Sequence, residues 1–335
     1  MSGPTVYGDI SRTGAAYVVV EALAHAEPII VLGKLGLSKP MPKNKSTKIS
    51  FRRPVPFAVS TTPLVEGVTP TAKSMSYDRV EATLDQYGDL VSHTDKMADL
   101  STEPDSNTAL REIGMLLGEQ AAETVEMLTY GVVKAGTNVY YANGSARNAV
   151  NTIITVAKQQ AVTRGFQAQR ARKITEVQDG TVKVGTKPVE AAFIAVAHTD
   201  VESDIRSLAG FKTVAEYSNR KPICEQELGS VADVRYIISP LFTAWADAGG
   251  AKGSMYSTSG TYADVYPVIY LSREAFGMVT LAGREAIVPT VIAVDTPSKS
   301  DPMAQRGYAS WKTWYVALIL NELWIARLEV AVTAL

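Results

Sequence analysis

The sequence predicts an α+β fold in which a long helix and a set of β-strands occupy separate stretches of chain. Two runs with strand periodicity lie near the N-terminus, a long amphipathic helix follows them, and strand patterns fill much of the second half. Because helices and strands do not alternate regularly, a doubly wound parallel sheet is excluded. The 335 residues, of which 46% are hydrophobic, suffice for about two domains with a sizeable core.

The first predicted element is a long β-hairpin. Apolar and polar residues alternate over residues 47–52 and again over residues 79–85, which predicts two strands that each have one apolar face. Between them, several prolines and Gly67 are incompatible with a central strand and predict a long, turn-rich tip. An isolated hairpin is at best marginally stable in water, so its apolar face is expected to pack on another surface.

Charge is distributed unevenly around this hairpin. Seven lysines and arginines, and no acidic residue, lie between Glu27 and Glu66, whereas the chain that follows is predominantly acidic through the long helix. Such charges can pair across the hairpin, meet across a subunit boundary, or form a solvated surface. The candidate contact residues are Lys43, Lys45, Lys48, Arg52 and Arg53 on the basic side and Asp78, Glu81, Asp85, Glu119 and Glu123 on the acidic side.

A long amphipathic helix is predicted over residues 101–136. Apolar residues recur at steps of three and four from Leu110 to Val132 and form one stripe, which is expected to be buried against the sheet of the same subunit. Pro104 is tolerated in a first helical turn, and Gly136 is typical of a helix C-terminus. About thirty residues at 1.5 Å each would make a rod of roughly 45 Å.

The second half of the chain is predicted to be rich in strands. Residues 191–197 are apolar on both faces, which predicts a buried strand. Residues 199–202 match a capping box, so a short helix is expected to begin at Thr199 and to end at Gly210. Further strands are predicted at residues 231–239, 265–271 and 285–294.

The end of the chain is predicted to form a second hairpin. Residues 311–320 and 323–332 both have strand character, and alternation is clearest in the second of them. Asn321 and Glu322 would form the turn between the two strands. Adjacent strands joined by a short polar turn usually pair with each other.

Composition excludes several classes of protein. Lys and Arg total 33 against 34 Asp and Glu, and the formal charge of -1 lacks the basic excess of a dedicated nucleic-acid-binding protein. Cys224 is the single cysteine, so an internal disulfide and a CxxC metal site are excluded, and a reducing compartment such as cytoplasm is expected. The apolar runs at residues 14–33 and 314–320 are too interrupted or too short for a membrane span.

The sequence predicts no catalytic residue, no metal, no cofactor and no enzymatic activity. The stretch GKLG at residues 33–36 lacks the five-residue lead and the Ser or Thr after lysine that a phosphate loop needs. His25, His93 and His198 are far apart in sequence and are interpreted as structural histidines. A basic run at residues 164–173 could contact phosphates, but is interpreted as a solvated helix face.

A series of short motifs also occurs in a fixed order along most of the chain. They are PKNK at 42–45, ISFRR at 49–53, TTPL at 61–64, EGVTP at 66–70, QYGD at 86–89, LGEQA at 117–121, AGTNV at 135–139, HTDVE at 198–202, DIR at 204–206, DP at 301–302 and QRG at 305–307. Each is weak alone. In this order they resemble the major capsid proteins of tailed bacteriophages, in particular the N-four-type coat-protein family.

This resemblance implies the Hong Kong 97-like, or Johnson, capsid fold. The implied domains are an N-terminal arm (1–37), an extended β-hairpin loop (38–92), a peripheral domain (93–189 and 286–335) that contains a spine helix (101–136), and an axial domain (190–285). In this fold the hairpin is expected to pack mainly on a neighbouring subunit, because it has too little apolar surface for a core of its own.

The resemblance implies a structural function. Many copies are expected to form hexamers and pentamers and to close an icosahedral head around double-stranded DNA, assembling in the host bacterial cytoplasm and residing in the virion shell. Other expected partners are portal, scaffolding and decoration proteins, with weak non-specific DNA contact and no membrane contact. Two alternatives stay open: an encapsulin-type compartment shell, which would enclose a cargo enzyme, and a soluble α+β enzyme.

Overall fold

The computed structural model describes residues 31–95, 108–179, 185–217, 222–281, 287–292, 294, 297 and 301–335. Most of the predicted N-terminal arm, including His25, lies outside these residues, as does the predicted helix start at 101–107. The described helices are α1 (Thr108–Lys134), α2 (Val156–Ala168) and α3 (Glu202–Arg206). The described strands are β1 (Leu37–Ser38), β2 (Lys48–Pro54), β3 (Tyr77–Thr83), β4 (Asp85–Thr94), β5 (Val139–Tyr141), β6 (Ile174–Asp179), β7 (Gly185–Ala197), β8 (Lys212–Thr213), β9 (Glu227–Val231), β10 (Val234–Ile238), β11 (Tyr266–Leu271), β12 (Phe276–Thr280), β13 (Val288–Ile292), β14 (Arg306–Ile319) and β15 (Ile325–Val330).

Two large β-sheets organise these elements. The first sheet has the strand order β1-β12-β14-β13, and β4 also pairs with β14. The second sheet has the order β5-β15-β11-β7-β10-β9-β8, and β6 also pairs with β7. Strands β2 and β3 pair only with each other among the described residues. The predicted α+β class is confirmed.

Strand β14 separates α1 from the hairpin, because successive side chains of a strand point to opposite faces of its sheet. Ala309 and Trp311 pack with Leu117 and Ala121 of α1. Leu318, on the opposite face, packs beneath the hairpin. The hairpin side chains in that cluster are Ile49, Phe51, Val80, Ala82 and Leu84. The first sheet therefore carries α1 on one face and the hairpin on the other.

The hairpin forms as predicted, but its apolar face is covered within the same chain. Lys48 lies opposite Thr83 and Pro54 opposite Tyr77 in an antiparallel pair. This pair rests on the first sheet through half-buried side chains, and packing of the hairpin on a neighbour stays a prediction. The alternation of apolar and polar residues indicates that one face of the hairpin is buried. It does not indicate which surface covers that face, because the covering residues are distant in sequence. Strand β4, most of which falls inside the predicted loop range (38–92), pairs along its length with β14.

The predicted C-terminal hairpin, by contrast, is wrong. Both strands exist, but β14 pairs with β4, β12 and β13, whereas β15 pairs with β5 and β11. The 3-10 turn Glu322–Trp324 carries the chain from the first sheet to the second. Alternation predicts that a segment is a strand, but it does not identify the strand with which that segment pairs. Strands that follow each other in sequence often pair, but not always.

The chain crosses repeatedly between the two sheets, and these crossings do not coincide with the predicted domain ranges. Strand β12 falls in the predicted axial range, 190–285, but belongs to the first sheet. Strands β5, β6 and β15 fall in the predicted peripheral ranges but belong to the second sheet, and Phe166 of α2 packs on its core. A division of the chain into a few continuous ranges cannot follow these crossings, because the strands of the two sheets are interleaved along the sequence.

The second sheet is buried on both faces, as the apolar run at 191–197 predicts. In β7, Phe193 and Ala195 pack in one cluster with α2 and α3, and Ile194 and Val196 pack in the other cluster with α1. Residues 192–197 are buried. The other strand predictions in this half correspond to β10, β11 and β13, while β9 was not predicted.

His198, and not Thr199, caps the short helical segment after β7. The Asp200 N–H donates to His198 Nδ1 at 3.1 Å, and Thr199 is already inside the 3-10 turn. The predicted capping box at Thr199 is therefore wrong. The predicted stop at Gly210 is also wrong, because the helix ends at Arg206, although Gly210 has a φ of 82°, a value that favours glycine. The structural interpretation of His198 is supported by this hydrogen bond.

We expect Leu117→Ala to lower the free energy of unfolding by about 2 to 5 kcal/mol. Leu117 is only 7% exposed and packs with α1 and β14 side chains, so alanine would leave a cavity. Leu116→Ala is the matched control, because Leu116 is 64% exposed, and a change within about 0.5 kcal/mol is expected there. Denaturant unfolding of both variants measures the difference, and equal small effects would contradict the burial.

Candidate intersubunit surface

The predicted contact residues lie on the hairpin, at its borders and on α1. Lys43 and Lys45 precede β2, which carries Lys48, Arg52 and Arg53; Asp78 and Glu81 are on β3, Asp85 begins β4, and Glu119 and Glu123 are on α1. All are exposed except Glu119, which is half-buried. The structure therefore brings the basic residues together with Asp78, Glu81 and Asp85, but not with the two glutamates of α1.

The outer face of the hairpin is positively charged. The register places Arg52 opposite Arg79 and Ser50 opposite Glu81, with Lys48 at the same face. The three positive charges of Lys48, Arg52 and Arg79 exceed the one negative charge of Glu81 on this face. We call Lys48, Arg52 and Arg79 the basic face. Arg79 was missed by the sequence analysis because it lies between acidic residues in the sequence, and only the register places it beside Arg52.

Two of the predicted basic residues have partners within the chain. Arg53 Nη2 donates to Asp78 Oδ2 at 3.0 Å, and the two side chains are 46% and 57% exposed. The Arg52 guanidinium lies 4.3 Å from the centre of the Tyr77 ring. Pairing across the hairpin, one of the open alternatives, is therefore present for Arg53 and Asp78. An exposed pair of this kind contributes about 0 to 1 kcal/mol.

The hairpin tip, residues 55–76, is exposed throughout and has no regular secondary structure. Its strongly exposed apolar side chains are Phe57, Val59, Leu64, Val65, Val68 and Met75. Lys73 Nζ donates to the Ala58 carbonyl at 3.0 Å and links the two sides of the tip. Contiguous exposed apolar surface of this kind is typical of a protein interaction site.

The outer side of α1 combines apolar and acidic residues. Leu116 and Met127 are 64% and 37% exposed, and Glu112 and Glu123 are exposed as well. The opposite side of α1 packs on the first sheet, whose other face carries the hairpin. The basic face and the outer side of α1 therefore point in opposite directions within one chain.

A buried carboxylate joins the second sheet to the loop before α2. Glu329 is fully buried, and it accepts hydrogen bonds from Arg147 Nε and Nη2, both at 2.8 Å, and from Arg327 Nε at 2.9 Å. The Arg147 guanidinium stacks 3.6 Å from the centre of the Trp245 ring. No sequence spacing indicates this cluster, since its members come from three distant segments.

The same cluster caps the C-terminus of α1. Arg327 Nη1 donates to the carbonyl of Lys134 and, at 3.0 Å, to that of Gly136. Lys134 Nζ lies 4.1 Å from the centre of the Trp245 ring. Burial lowers the pKa of Lys134 to about 8, and the charges of Arg147 and Arg327 act in the same direction. Three cations therefore surround one carboxylate at the junction of the two sheets.

The sequence predicts no site at His93, Cys224 or Lys173, and the structure shows the surroundings of each. His93 is buried, and burial lowers its pKa. Burial raises the pKa of the Cys224 thiol to about 11, which keeps it protonated. Lys173, from the basic run, pairs with Asp233 at 2.9 Å. The described residues contain no group of three or more acidic, His or Cys side chains placed to bind a metal, and no described helix is long and apolar enough to cross a membrane.

Comparisons with known proteins find several phage capsid proteins. The family model described as phage capsid protein matches residues 78–328. The major capsid protein of Pseudomonas phage KPP21 is 20% identical over 268 residues, which are 75% of this chain and 67% of that protein. The capsid of Ralstonia phage GP4 is similar with a TM-score of 0.65 and 14% identity, over 89% of this chain and 87% of that chain.

A compartment protein has the same fold. The holo-SrpI encapsulin complex from Synechococcus elongatus PCC 7942 is similar with a TM-score of 0.54 and 9% identity, over 92% of this chain and 90% of that chain. At such identities the likeness concerns the fold. The predicted Hong Kong 97-like fold is confirmed.

Proposed function

This chain belongs to the phage capsid protein family, and we propose that it is the major capsid protein of a tailed-phage head. The match of the family model to residues 78–328 carries this proposal, because it includes β3, α1 and strands of both sheets. Many copies form hexamers and pentamers that close an icosahedral shell. A head-to-tail contact between identical subunits closes into a ring when its rotation allows.

The hairpin supplies intersubunit contact in this proposal. Its paired strands rest on their own sheet, and the exposed apolar tip extends over a neighbouring subunit. The basic face, together with Lys43, Lys45 and Arg53, meets acidic residues across the boundary. Glu119 and Glu123 are the preferred acidic partners, because they lie on the face of α1 that points away from the hairpin of the same chain. Complementary charge steers association and penalises wrong registers.

The two sheets support a revised division into domains. The first sheet and α1 form the peripheral domain, and the second sheet with α2 and α3 forms the axial domain. The arm keeps residues 1–37, and the extended loop becomes residues 38–84, because β4 belongs to the first sheet. The Glu329 cluster lies where α1 meets the axial domain.

The function is structural and not enzymatic in this proposal, and the shell is located in the virion after assembly in the host cytoplasm. Double-stranded DNA is the packaged content, and portal, scaffolding and decoration proteins are the other partners. A formal charge of -1 supports weak contact with DNA, since a strongly basic inner surface would retain the genome that the head must release.

Electron microscopy of particles purified from infected cells tests this function. Closed shells with five- and six-fold capsomers and nuclease-protected DNA are expected. Shells that hold a protein cargo and no protected DNA would favour the encapsulin alternative, which the similarity of the Synechococcus compartment keeps open. A small monodisperse species with no closed particles would overturn both and favour a soluble enzyme.

We expect Arg52→Glu combined with Arg53→Glu to prevent formation of empty shells, because the basic face would repel its acidic partners. Assembly of the unchanged protein should also slow as salt rises from about 0.05 to 0.5 M, since the Debye length falls from roughly 14 to 4 Å. Light scattering and micrographs measure both effects.

Asp78→Asn is the matched control for this charge reversal. It removes the same in-chain ion pair but leaves both arginines in place, so assembly should continue. If the double variant forms normal empty shells but loses DNA, the basic face contacts the genome instead. If neither assembly nor DNA retention changes, the basic face is only a solvated surface and the contact proposal is wrong.

A further inference from the structure

Glu126 is a fully buried carboxyl group on α1 with an unusual hydrogen-bond arrangement. Its Oε1 accepts from the backbone N–H of Leu32 at 2.8 Å and from that of Val31 at 3.2 Å. Its Oε2 has no hydrogen-bond partner among the described residues. An ionised carboxylate in this position would keep one charged oxygen buried and unsatisfied, which is costly.

The segment that Glu126 binds is an apolar plug, which we define as residues 31–35. Val31, Leu32 and Leu35 are buried and pack with Tyr130 of α1 and Ile174 of β6. The plug includes the 3-10 turn Leu32–Lys34 and leads directly into β1 of the first sheet. The plug therefore attaches the chain just before β1 to α1.

We propose that Glu126 and the plug form a proton-controlled latch, in which a neutral carboxyl group holds the plug against α1 and an ionised one releases it. The neutral group keeps Oε1 as an acceptor for both N–H groups. The neutral group also avoids the cost of burying a negative charge on a carboxylate whose Oε2 has no hydrogen-bond partner among the described residues. This inference concerns contacts within one chain and does not depend on the proposed shell.

The surroundings of Glu126 favour the neutral form. Burial raises the pKa of Glu126 to about 7, against the opposing effect of the backbone N–H groups and the positive charge of Lys34. Lys34 is the charged group facing it from the plug. Tyr315 on β14 is kept neutral because burial raises its pKa to about 12, and β6 presents apolar Ile174 and Val177. On α1 itself, burial raises the pKa of Tyr130, which is neutral as well.

The direction of the pH effect follows from linkage. The docked carboxyl has a raised pKa, and release returns it toward the ordinary value of 4.5 for glutamate. The docked state therefore binds more protons, so docking is strongest below that ordinary value and is lost as pH rises through about 7. Between about pH 5 and pH 8, the docking equilibrium should fall on the order of a hundredfold.

Hydrogen exchange of the Val31 and Leu32 amides in the full-length protein tests the latch, because both amides donate to Glu126 Oε1. After correction for the intrinsic pH dependence of exchange, protection should fall on the order of a hundredfold from about pH 5 to pH 8. Glu126→Gln keeps the shape and removes the titration, so its protection should stay constant over this range.

Two further variants separate the latch from general loosening. Glu112→Gln removes an exposed carboxyl elsewhere on α1 and should retain the pH dependence of the unchanged protein. Leu32→Ala should lower protection at every pH without removing the pH dependence. Protection that is independent of pH in the unchanged protein would overturn the proposal even if Glu126→Gln did not fold. A Glu126→Gln variant with the original pH dependence would overturn it as well.

Discussion

Replacing the hairpin tip, residues 55–76, with Asn-Gly should leave a folded subunit that no longer forms shells. Pro54 and Tyr77 already face each other across the hairpin, so a two-residue turn can join them. Every residue of the tip is exposed, so its removal takes little buried surface from the subunit. The unfolding transition should therefore change by less than about 1 kcal/mol.

Assembly should respond far more strongly than folding. In the proposed shell every subunit places one tip on a neighbour, so the same loss is repeated at each contact of a closed particle. We expect the yield of closed particles, counted in micrographs and measured by sedimentation, to fall below detection.

A variant of full length shows which property of the tip is needed. Changing Phe57, Val59, Leu64, Val65 and Val68 to serine retains the length of the tip but removes its apolar side chains. Failure of both variants to assemble would indicate apolar docking, and failure of the deletion alone would indicate that the reach of the chain matters. Normal shells from the deletion would show that the tip is dispensable.

Local patterns predicted the elements of this fold well. Period-two alternation identifies the paired strands of the hairpin, and the apolar stripe through Leu117 identifies α1. The buried strand at 192–197 also follows from its apolar run alone. Each of these signals depends on residues that are close together in sequence. Their spacing determines which side chains lie on the same face, because the geometry of a helix or strand is regular.

The pairing of elements could not be predicted in the same way. Strands β14 and β15 are neighbours in sequence but lie in different sheets, because the turn at Glu322–Trp324 redirects the chain. The partners of β15 include Tyr266 and Val139, which are distant in sequence. Without homologous sequences, no local pattern distinguishes these partners from the nearer strand.

Two of the buried glutamates show that candidate sites are equally hard to predict from local patterns. Glu126 and Glu329 look like surface residues in the sequence, since glutamate is rarely buried without a partner. Their partners are Leu32 for the first, and Arg147 for the second, each distant along the chain. Only the fold brings them together, so neither glutamate was among the predicted contact residues.

Glu329→Gln should cause the largest loss of subunit stability, about 3 to 5 kcal/mol, because among the described residues it removes the one buried carboxylate from a largely buried cluster of cations. Arg327 is only 11% exposed, and without Glu329 it would keep a buried charge beside Arg147 and Lys134. Glutamine retains the shape of the side chain, so the loss reports on charge more than on packing. Denaturant unfolding near pH 7 measures it.

The pH dependence of that loss identifies its cause. The folded-state pKa of Lys134 lies at about 8, below its ordinary value of 10.5, so the folded protein binds fewer protons than the unfolded chain between these values and gains stability as pH rises. Loss of Glu329 removes an attraction that favours the charged lysine. The destabilisation by Glu329→Gln should therefore be larger near pH 7 than at about pH 9.5, where Lys134 is neutral in both proteins.

Two comparisons separate charge repulsion in the cluster from an ordinary loss of an ion pair. Glu202→Gln breaks an exposed pair with Arg206 and should cost less than about 1 kcal/mol. Adding Arg147→Met to Glu329→Gln removes one of the unbalanced cations, so the double variant should be more stable than the sum of the single losses predicts. Additive losses with no pH dependence would mean that the Trp245 ring and the carbonyl groups at the end of α1 hold the cations without help from Glu329.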